Sequence, residues 1–108
     1  MVRYGRCMSK QSAKGLVETG VLVDDGPSSL VPVFDCPRVV EERLNSMSND
    51  SIRNYFRHIG VRHADTVVLF SIDSHVDGIV GPIPQTNGLA EYKIPAGTPV
   101  EVYRRIRV

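Results

Sequence analysis

The most apolar stretch of the chain is Val67-Val68-Leu69-Phe70, inside the segment Asp65–Ile72. Consecutive apolar residues on an extended backbone present side chains to both faces of a sheet. Such a strand is predicted to be central and well buried. The order of the other periodicities then limits the architecture. Segments with helical spacing come early and segments with strand alternation come late. That order predicts an α+β domain rather than a parallel sheet of repeated βαβ units.

Three helices are predicted. Ser9 or Ser12 can cap the first by accepting a bond from a free backbone N–H. Ala13, Leu16 and Val17 then recur at helical spacing and Gly20 ends the segment, giving about Lys10–Thr19. Pro37 suits the first turn of a second helix, with Val40, Leu44 and Met47 as its apolar stripe. The third is the clearest. Asn49 or Asp50 caps it, Ile52, Tyr55, Phe56 and Ile59 share one face, and Gly60 ends it.

Strand signals surround these helices. Val2–Met8 reads as a first strand and Val21–Val23 as a short one. Leu30–Phe34 reads as an edge strand, because Pro32 has no N–H for a ladder. Asp73–Gly88 carries Gly78, Gly81, Gly88, Pro82 and Pro84 and reads as a long connection with a short strand at Gly78–Val80. Connections of that length tend to be functional or mobile. Leu89–Ile94 alternates, with Ala90, Tyr92 and Ile94 on one face and Leu89, Glu91 and Lys93 on the other. Pro95-Ala96-Gly97 is a turn signal. Val100–Val108 alternates with Val100, Val102, Ile106 and Val108 inward and Arg104 interrupting them. These last two strands are expected to pair as a C-terminal β-hairpin.

Composition narrows the function classes. A length of 108 residues fits a single domain over 1–108, and 42% hydrophobic content is ordinary for a globular chain. A net charge of +1 excludes a strong polyanion-binding field over the whole surface but leaves room for a local basic patch. No apolar run approaches the roughly 20 residues of a membrane span, so no membrane association is expected. The opening MVRYGRCMSK lacks the apolar core of a signal peptide. Cys7 and Cys36 are the only cysteines and are read as reduced, partly buried thiols, with a single disulfide as the alternative. His58, His63 and His75 share no metal-ligand spacing, so no metal is expected.

A few residues stand out chemically. Glu91 is the principal candidate: a carboxylate on a strand that follows a Gly/Pro-rich loop can stabilise a developing cation or bind a hydroxyl. Alternation alone also accommodates it as a solvated glutamate. Arg3, in the first strand, can clamp a phosphate; it also reads as a surface arginine near a chain end. Arg104, Arg105 and Arg107 make a basic stripe with Tyr103, either a nucleic-acid contact or a solvated, protected edge. Ser71-Ile72-Asp73-Ser74-His75 places three triad residue types close together in sequence, but no nucleophile elbow accompanies them.

The segment Asn87-Gly88-Leu89-Ala90-Glu91-Tyr92-Lys93-Ile94-Pro95-Ala96-Gly97-Thr98-Pro99-Val100 resembles the end of small bacterial ADP-ribosyltransferase toxin domains, where a catalytic glutamate begins a late strand running into a Pro-Gly-Thr-type turn. Val2-Arg3-Tyr4-Gly5 and the following helix, ending in Glu18-Thr19-Gly20, resemble that family's first strand and helix. The resemblance covers roughly a third of the chain. It implies a compact α+β fold with a split β-sheet core, and NAD as the cofactor. Glu91 would bind the ribose 2′-hydroxyl and stabilise the ribosyl cation formed on loss of nicotinamide. Arg3 would hold a phosphate or the adenine-side ribose, and backbone groups at Tyr4 and Gly5 would receive nicotinamide. Val33-Phe34-Asp35 stands where one subgroup has Ser-Thr-Ser, which makes Phe34 a further cofactor candidate. Leu89 stands where protein-modifying members carry Glu or Gln, so Gln85 and Asn87 are candidates to engage the acceptor, which could be protein, nucleic acid or water. The resemblance also implies a toxin domain of a larger secreted protein, acting in the target-cell cytoplasm and countered by a cognate immunity protein. The alternatives are a metal-independent ribonuclease using His63 or His75, an NAD glycohydrolase, and a non-enzymatic binding module.

Overall fold

A computed structural model describes residues 2–23, 29–56, 65–73, 75–85 and 88–107. In chain order they form β1 (Val2–Met8), α1 (Lys10–Thr19), β2 (Leu30–Asp35), α2 (Arg38–Ser46), α3 (Asn49–Phe56), β3 (Thr66–Ile72), β4 (Val80–Pro84), β5 (Ala90–Pro95) and β6 (Glu101–Arg107). The six strands make one antiparallel sheet in the order β4-β5-β2-β1-β3-β6. The domain is therefore α+β, as the segregated periodicities predict.

Strand β3 explains the layering. Every one of its residues is buried. Val68, Phe70 and Ile72 join one core with Ala13 and Leu16 of α1 and with Tyr4, Met8, Val31, Val33 and Ile94. Val67 and Leu69 join the opposite core with Leu44 of α2 and Ile52 of α3, and with Cys7, Phe34, Cys36 and Leu89. One sheet thus separates α1 from α2 and α3, and the apolar run is covered on both faces.

The helices begin and end for local reasons. Ser9 Oγ accepts from the N–H of Ser12 at 3.1 Å, and Gly20 closes α1 with φ 68°, a left-handed value that glycine adopts without a Cβ clash. Ala13 and Leu16 are buried as expected, but Val17 stays 45% exposed. In α2, Leu44 is buried, and Val40 and Met47 pack against the same core. Pro37 stands just before the first helical residue as its cap. The cap of α3 is Ser48, one residue before the two expected, through Ser48 Oγ accepting from Ser51 N at 3.2 Å. Ile52 fills the expected core position. The rest of that stripe, the stop at Gly60, and His58 and His63 lie outside the described residues and side chains.

The sheet is thin at one place. β1 pairs with β3 along its whole length, from Val2 with Ile72 to Met8 with Thr66. Against β2 it has only Tyr4 with Asp35 and Gly5 with Phe34. Pro32 accounts for the interruption. It offers no N–H, and its carbonyl accepts from Arg6 Nη1 at 2.6 Å instead of from a ladder partner. β2 is an interior strand rather than the expected edge strand, and the proline is tolerated because it faces this internal gap.

Three further expectations are corrected. The C-terminal β-hairpin does not form: β5 lies between β4 and β2, while β6 pairs with β3 at the far edge. The intervening segment is captured by the chain that leaves α1. Gly97 N donates to Leu22 O at 2.7 Å, Leu22 N to Thr98 O at 3.0 Å and Val100 N to Gly20 O at 2.8 Å. Val21, expected in a short strand, makes only an isolated bridge to Pro99. The Asp73–Gly88 connection contains a longer strand than expected, β4, which forms the true late hairpin with β5. Finally, the inward set of β6 is divided. Phe70 faces Val102 but Leu69 faces Arg104, so a bulge at Tyr103 shifts the alternation by one. Val102 therefore packs on the α1 side, and Ile106 on the α2 side.

Both cysteines are free and buried, and burial pushes each thiol from an ordinary 9.0 up to about 12. The Arg6 charge works against burial at Cys7; Glu41 and Asp35 add to it at Cys36, and Arg3 opposes it. Between pH 9.0 and about 12 the unfolded chain gives up thiol protons that the folded chain keeps. The folded state binds more protons there, so stability falls as pH rises. Urea unfolding across pH 8 to 11 is expected to show this decline starting near pH 9, with a shallower slope in Cys7→Ala. Identical slopes in the two proteins would contradict it.

Candidate functional site

The gap between β1 and β2 forms a cavity of about 110 Å³. Gly5, Arg6 and Cys7 of β1 form one wall, and Pro32, Val33 and Phe34 of β2 another. Gln85, Leu89 and Glu91, from the β4–β5 turn and the start of β5, complete it. The sheet register explains the convergence. Ile83, Glu91, Phe34, Gly5, Leu69 and Arg104 are successive cross-strand partners from one edge to the other. They share one face, the face covered by α2 and α3.

Glu91 is the polar centre of this cavity. On its own face it stands between Leu89, which is 4% exposed, and Lys93, which is exposed. It is itself half-buried, so it is not the fully solvated glutamate that alternation alone allows. Gln85 Nε2 donates to Glu91 Oε2 at 3.3 Å. The turn that carries Gln85 is closed by two backbone bonds, Gln85 N to Leu89 O and Gly88 N to Gln85 O, each 3.1 Å. The structure thus brings Gln85 to Glu91. Asn87, its companion candidate, lies outside the described residues.

Gly5 and Phe34 meet across the gap. A Cβ at position 5 would fall inside the Phe34 ring, so the ring can lie against the β1 backbone only because residue 5 is glycine. Phe34 is 4% exposed and serves as both core residue and cavity wall. Tyr4 points to the other face, where it packs against Phe70 and edge-on to Tyr92 with ring centroids 5.4 Å apart. Tyr4 does not line the cavity, and its backbone pairs with Asp35 in the closed part of the join. Burial, then Tyr92 and Asp35, raise the Tyr4 phenol above its usual range, and burial likewise raises the Asp35 carboxyl.

Arg3 shares the Glu91 face but is not in the cavity. Its Nη1 lies 3.4 Å from Glu41 Oε2 on α2, and its Cζ sits 5.0 Å from the centre of the Tyr103 ring. Arg104 Nη1 reaches the other oxygen of Glu41 at 3.8 Å. The arginine that does line the cavity is Arg6. Sequence reasoning missed it, because nothing in MVRYGR distinguishes Arg6 from Arg3; the only signal was the proline whose carbonyl it holds. His75 lies in an exposed turn, where its N–H donates to Asp73 Oδ1 at 3.0 Å, and Ser71 is buried within β3. The Ser-Asp-His cluster of the sequence is therefore a strand end and a turn.

Comparison with protein-family models, curated proteins and solved structures finds no match. Among the described residues, no group of three His, Cys, Asp or Glu is arranged to hold a metal ion, and no helix is long and apolar enough to cross a membrane.

The Gly5–Phe34 contact gives a direct test of the cavity wall. Gly5→Ala is expected to cost about 1–3 kcal/mol through overpacking. Phe34→Leu shortens the opposing side chain, so the same glycine substitution made in that background should cost less. Chemical denaturation of the four proteins of this cycle measures the coupling, and strictly additive costs would contradict the contact.

Proposed function

We propose that this chain is an ADP-ribosyltransferase-type domain that cleaves NAD at its nicotinamide–ribose bond, with Glu91 as the anion that stabilises the ribose. The observation that carries the reading is the setting of Glu91: half-buried, held by Gln85, in a cavity where the sheet parts between β1 and β2. The two-pair join lies within one six-stranded sheet, and a split-sheet core is what the resemblance alone implies.

The cavity can be tested for fit. A cavity of roughly 150 Å³ holds benzene, so about 110 Å³ admits only part of a ring-sized group and not a dinucleotide. The edge of a ribose or nicotinamide ring would enter it, and the remainder of NAD would lie outside. Gly5 and Phe34 would flank the ring, and Glu91 would meet the sugar. The resemblance assigns Arg3, on the same sheet face, to a phosphate or the adenine-side ribose.

NAD supplies a glycosidic bond whose cleavage leaves positive charge on the ribose. The Glu91 carboxylate accepts a hydrogen bond from the ribose 2′-hydroxyl and opposes that charge. Its partial burial makes the interaction stronger than it would be in water. The Gln85 amide fixes one carboxylate oxygen, so the anion is oriented before the charge develops. Leu89 offers no polar group to an acceptor, and Gln85 is the side chain that stands beside Glu91 in its place. The acceptor is a protein, a nucleic acid or water. In this reading the domain is a toxin portion of a larger secreted protein that acts in a target-cell cytoplasm and is matched by an immunity protein.

Release of free nicotinamide from NAD, with and without cell lysate, tests the reading. Glu91→Gln is expected to lower the rate roughly 10²–10³-fold, as loss of one preorganised electrostatic group does, while KM for NAD changes little. Wild-type protein that leaves NAD intact with every lysate would overturn it. Cleavage of RNA without NAD would favour the ribonuclease alternative.

A further inference from the structure

A second cavity, of about 220 Å³, lies beside α1, on the opposite face of the sheet from Glu91. Its apolar walls are Met8 of β1, Leu16 of α1, and Val21, Leu22 and Val23 of the segment that leaves α1. Met8, Leu16 and Leu22 belong to the α1-side core, whereas Cys7, Phe34 and Leu89 of the Glu91 cavity belong to the other. The hydroxyls that reach the second cavity are engaged within α1 and its cap. Ser9 Oγ donates to Ser12 Oγ at 3.0 Å, and Thr19 Oγ1 donates to Gly15 O at 2.9 Å. Among the described residues that line it, Arg6 alone carries a charge. Arg6 stands between Tyr4 and Met8 in the alternation of β1, which sets it on this face. Its Nη1 is fixed by donating to Pro32 O at 2.6 Å.

We propose that this cavity binds a compact apolar monocarboxylate, an acid whose body is the size of one small ring and whose carboxylate meets the Arg6 guanidinium. Three observations carry this. The first is size. A cavity of roughly 150 Å³ holds benzene, so about 220 Å³ admits a ring with a short polar arm and excludes a nucleotide. The second is that α1 leaves this space open. Gly15 lies inside the helix, where glycine is unfavourable relative to alanine. A Cβ at position 15 would meet nothing within 4 Å. Unlike Gly5, this glycine answers to no close neighbour; what it provides is room along the cavity wall. Val23, on the same wall, stays exposed, an apolar surface that a bound body would cover. The third is charge. A guanidinium binds a carboxylate through two parallel hydrogen bonds. The bond to Pro32 O uses one of several N–H donors on Arg6 and holds the group in place. A phosphate would press further charged oxygens against apolar walls, which favours the single carboxylate.

This goes beyond the Glu91 reading and does not require it, and its test contains no NAD. Methyl signals of ¹³C-labelled protein are followed during titration with benzoate. Parallel titrations use benzyl alcohol, which keeps the ring without the charge, and acetate, which keeps the charge without the ring. The Leu16 and Leu22 signals are expected to move with benzoate and saturate, while Leu89 stays still. Benzyl alcohol and acetate are each expected to bind at least about tenfold more weakly, for want of the charged bond pair or of the buried ring. Benzyl alcohol that binds as well as benzoate overturns the acid, and acetate that does so overturns the apolar body. Movement of Leu89 in place of Leu16 and Leu22 overturns the placement, and no saturable movement overturns the site. Gly15→Leu fills the cavity and removes a helix glycine. It is expected to melt at or above the wild-type temperature and to weaken benzoate binding at least about tenfold; unchanged binding overturns the proposal. A second measurement needs no variant: benzoate must raise the Tm of the wild-type protein above that in acetate at matched ionic strength, and equal Tm values overturn the proposal.

Discussion

The interrupted join between β1 and β2 is the constraint on which the rest of the structure depends. A continuous ladder there would close the sheet and leave Glu91 on an ordinary half-covered strand. Pro32 prevents this by withholding an N–H, and Arg6 takes the carbonyl that the ladder would have used. Gly5 and Phe34 then fix how near β1 and β2 can come. The residues of the join are thus also the walls of the cavity. Stability at this point and access to Glu91 are set by the same contacts.

The register turns that local fact into a layout. One cross-strand row runs from Ile83 through Glu91, Phe34, Gly5 and Leu69 to Arg104. The carboxylate that engages Gln85 stands near one end of the row and the cluster around Glu41 near the other, with the Phe34 ring and Leu69 between them. Two polar sites therefore share one face of the sheet but are separated by apolar side chains. In the Glu91 cavity the charge is held by a neutral amide. In the Glu41 cluster opposite charges meet, and the exposed arginines are more accessible than the carboxylate they surround.

Much of the fold can be read from the residues. Ser9 and Gly20 bound α1 through chemistry that is purely local, and Val67–Phe70 demands a buried strand wherever the sheet is built. Pairing was less legible. The alternation of Leu89–Ile94 and Val100–Val108 is correct within each strand, yet it does not say that α1's exit will capture Gly97 and Thr98 and hold the two strands apart. The bulge at Tyr103 was visible only as an anomaly, Arg104 on an apolar face, because a shift in register is a property of two strands and not of one. For the site, Glu91, Gln85, Gly5 and Phe34 were named from sequence and share one cavity. Arg6 was not named, since its role depends on a proline 26 residues away.

The central claim is that the parted sheet presents Glu91 to a ribose. A crystal of the protein soaked in saturating NAD examines it most directly. The account predicts density for a ring in the gap between β1 and β2, with a sugar hydroxyl within hydrogen-bonding distance of the Glu91 carboxylate. NAD seated on another surface, or a gap that stays empty at saturation, would contradict it.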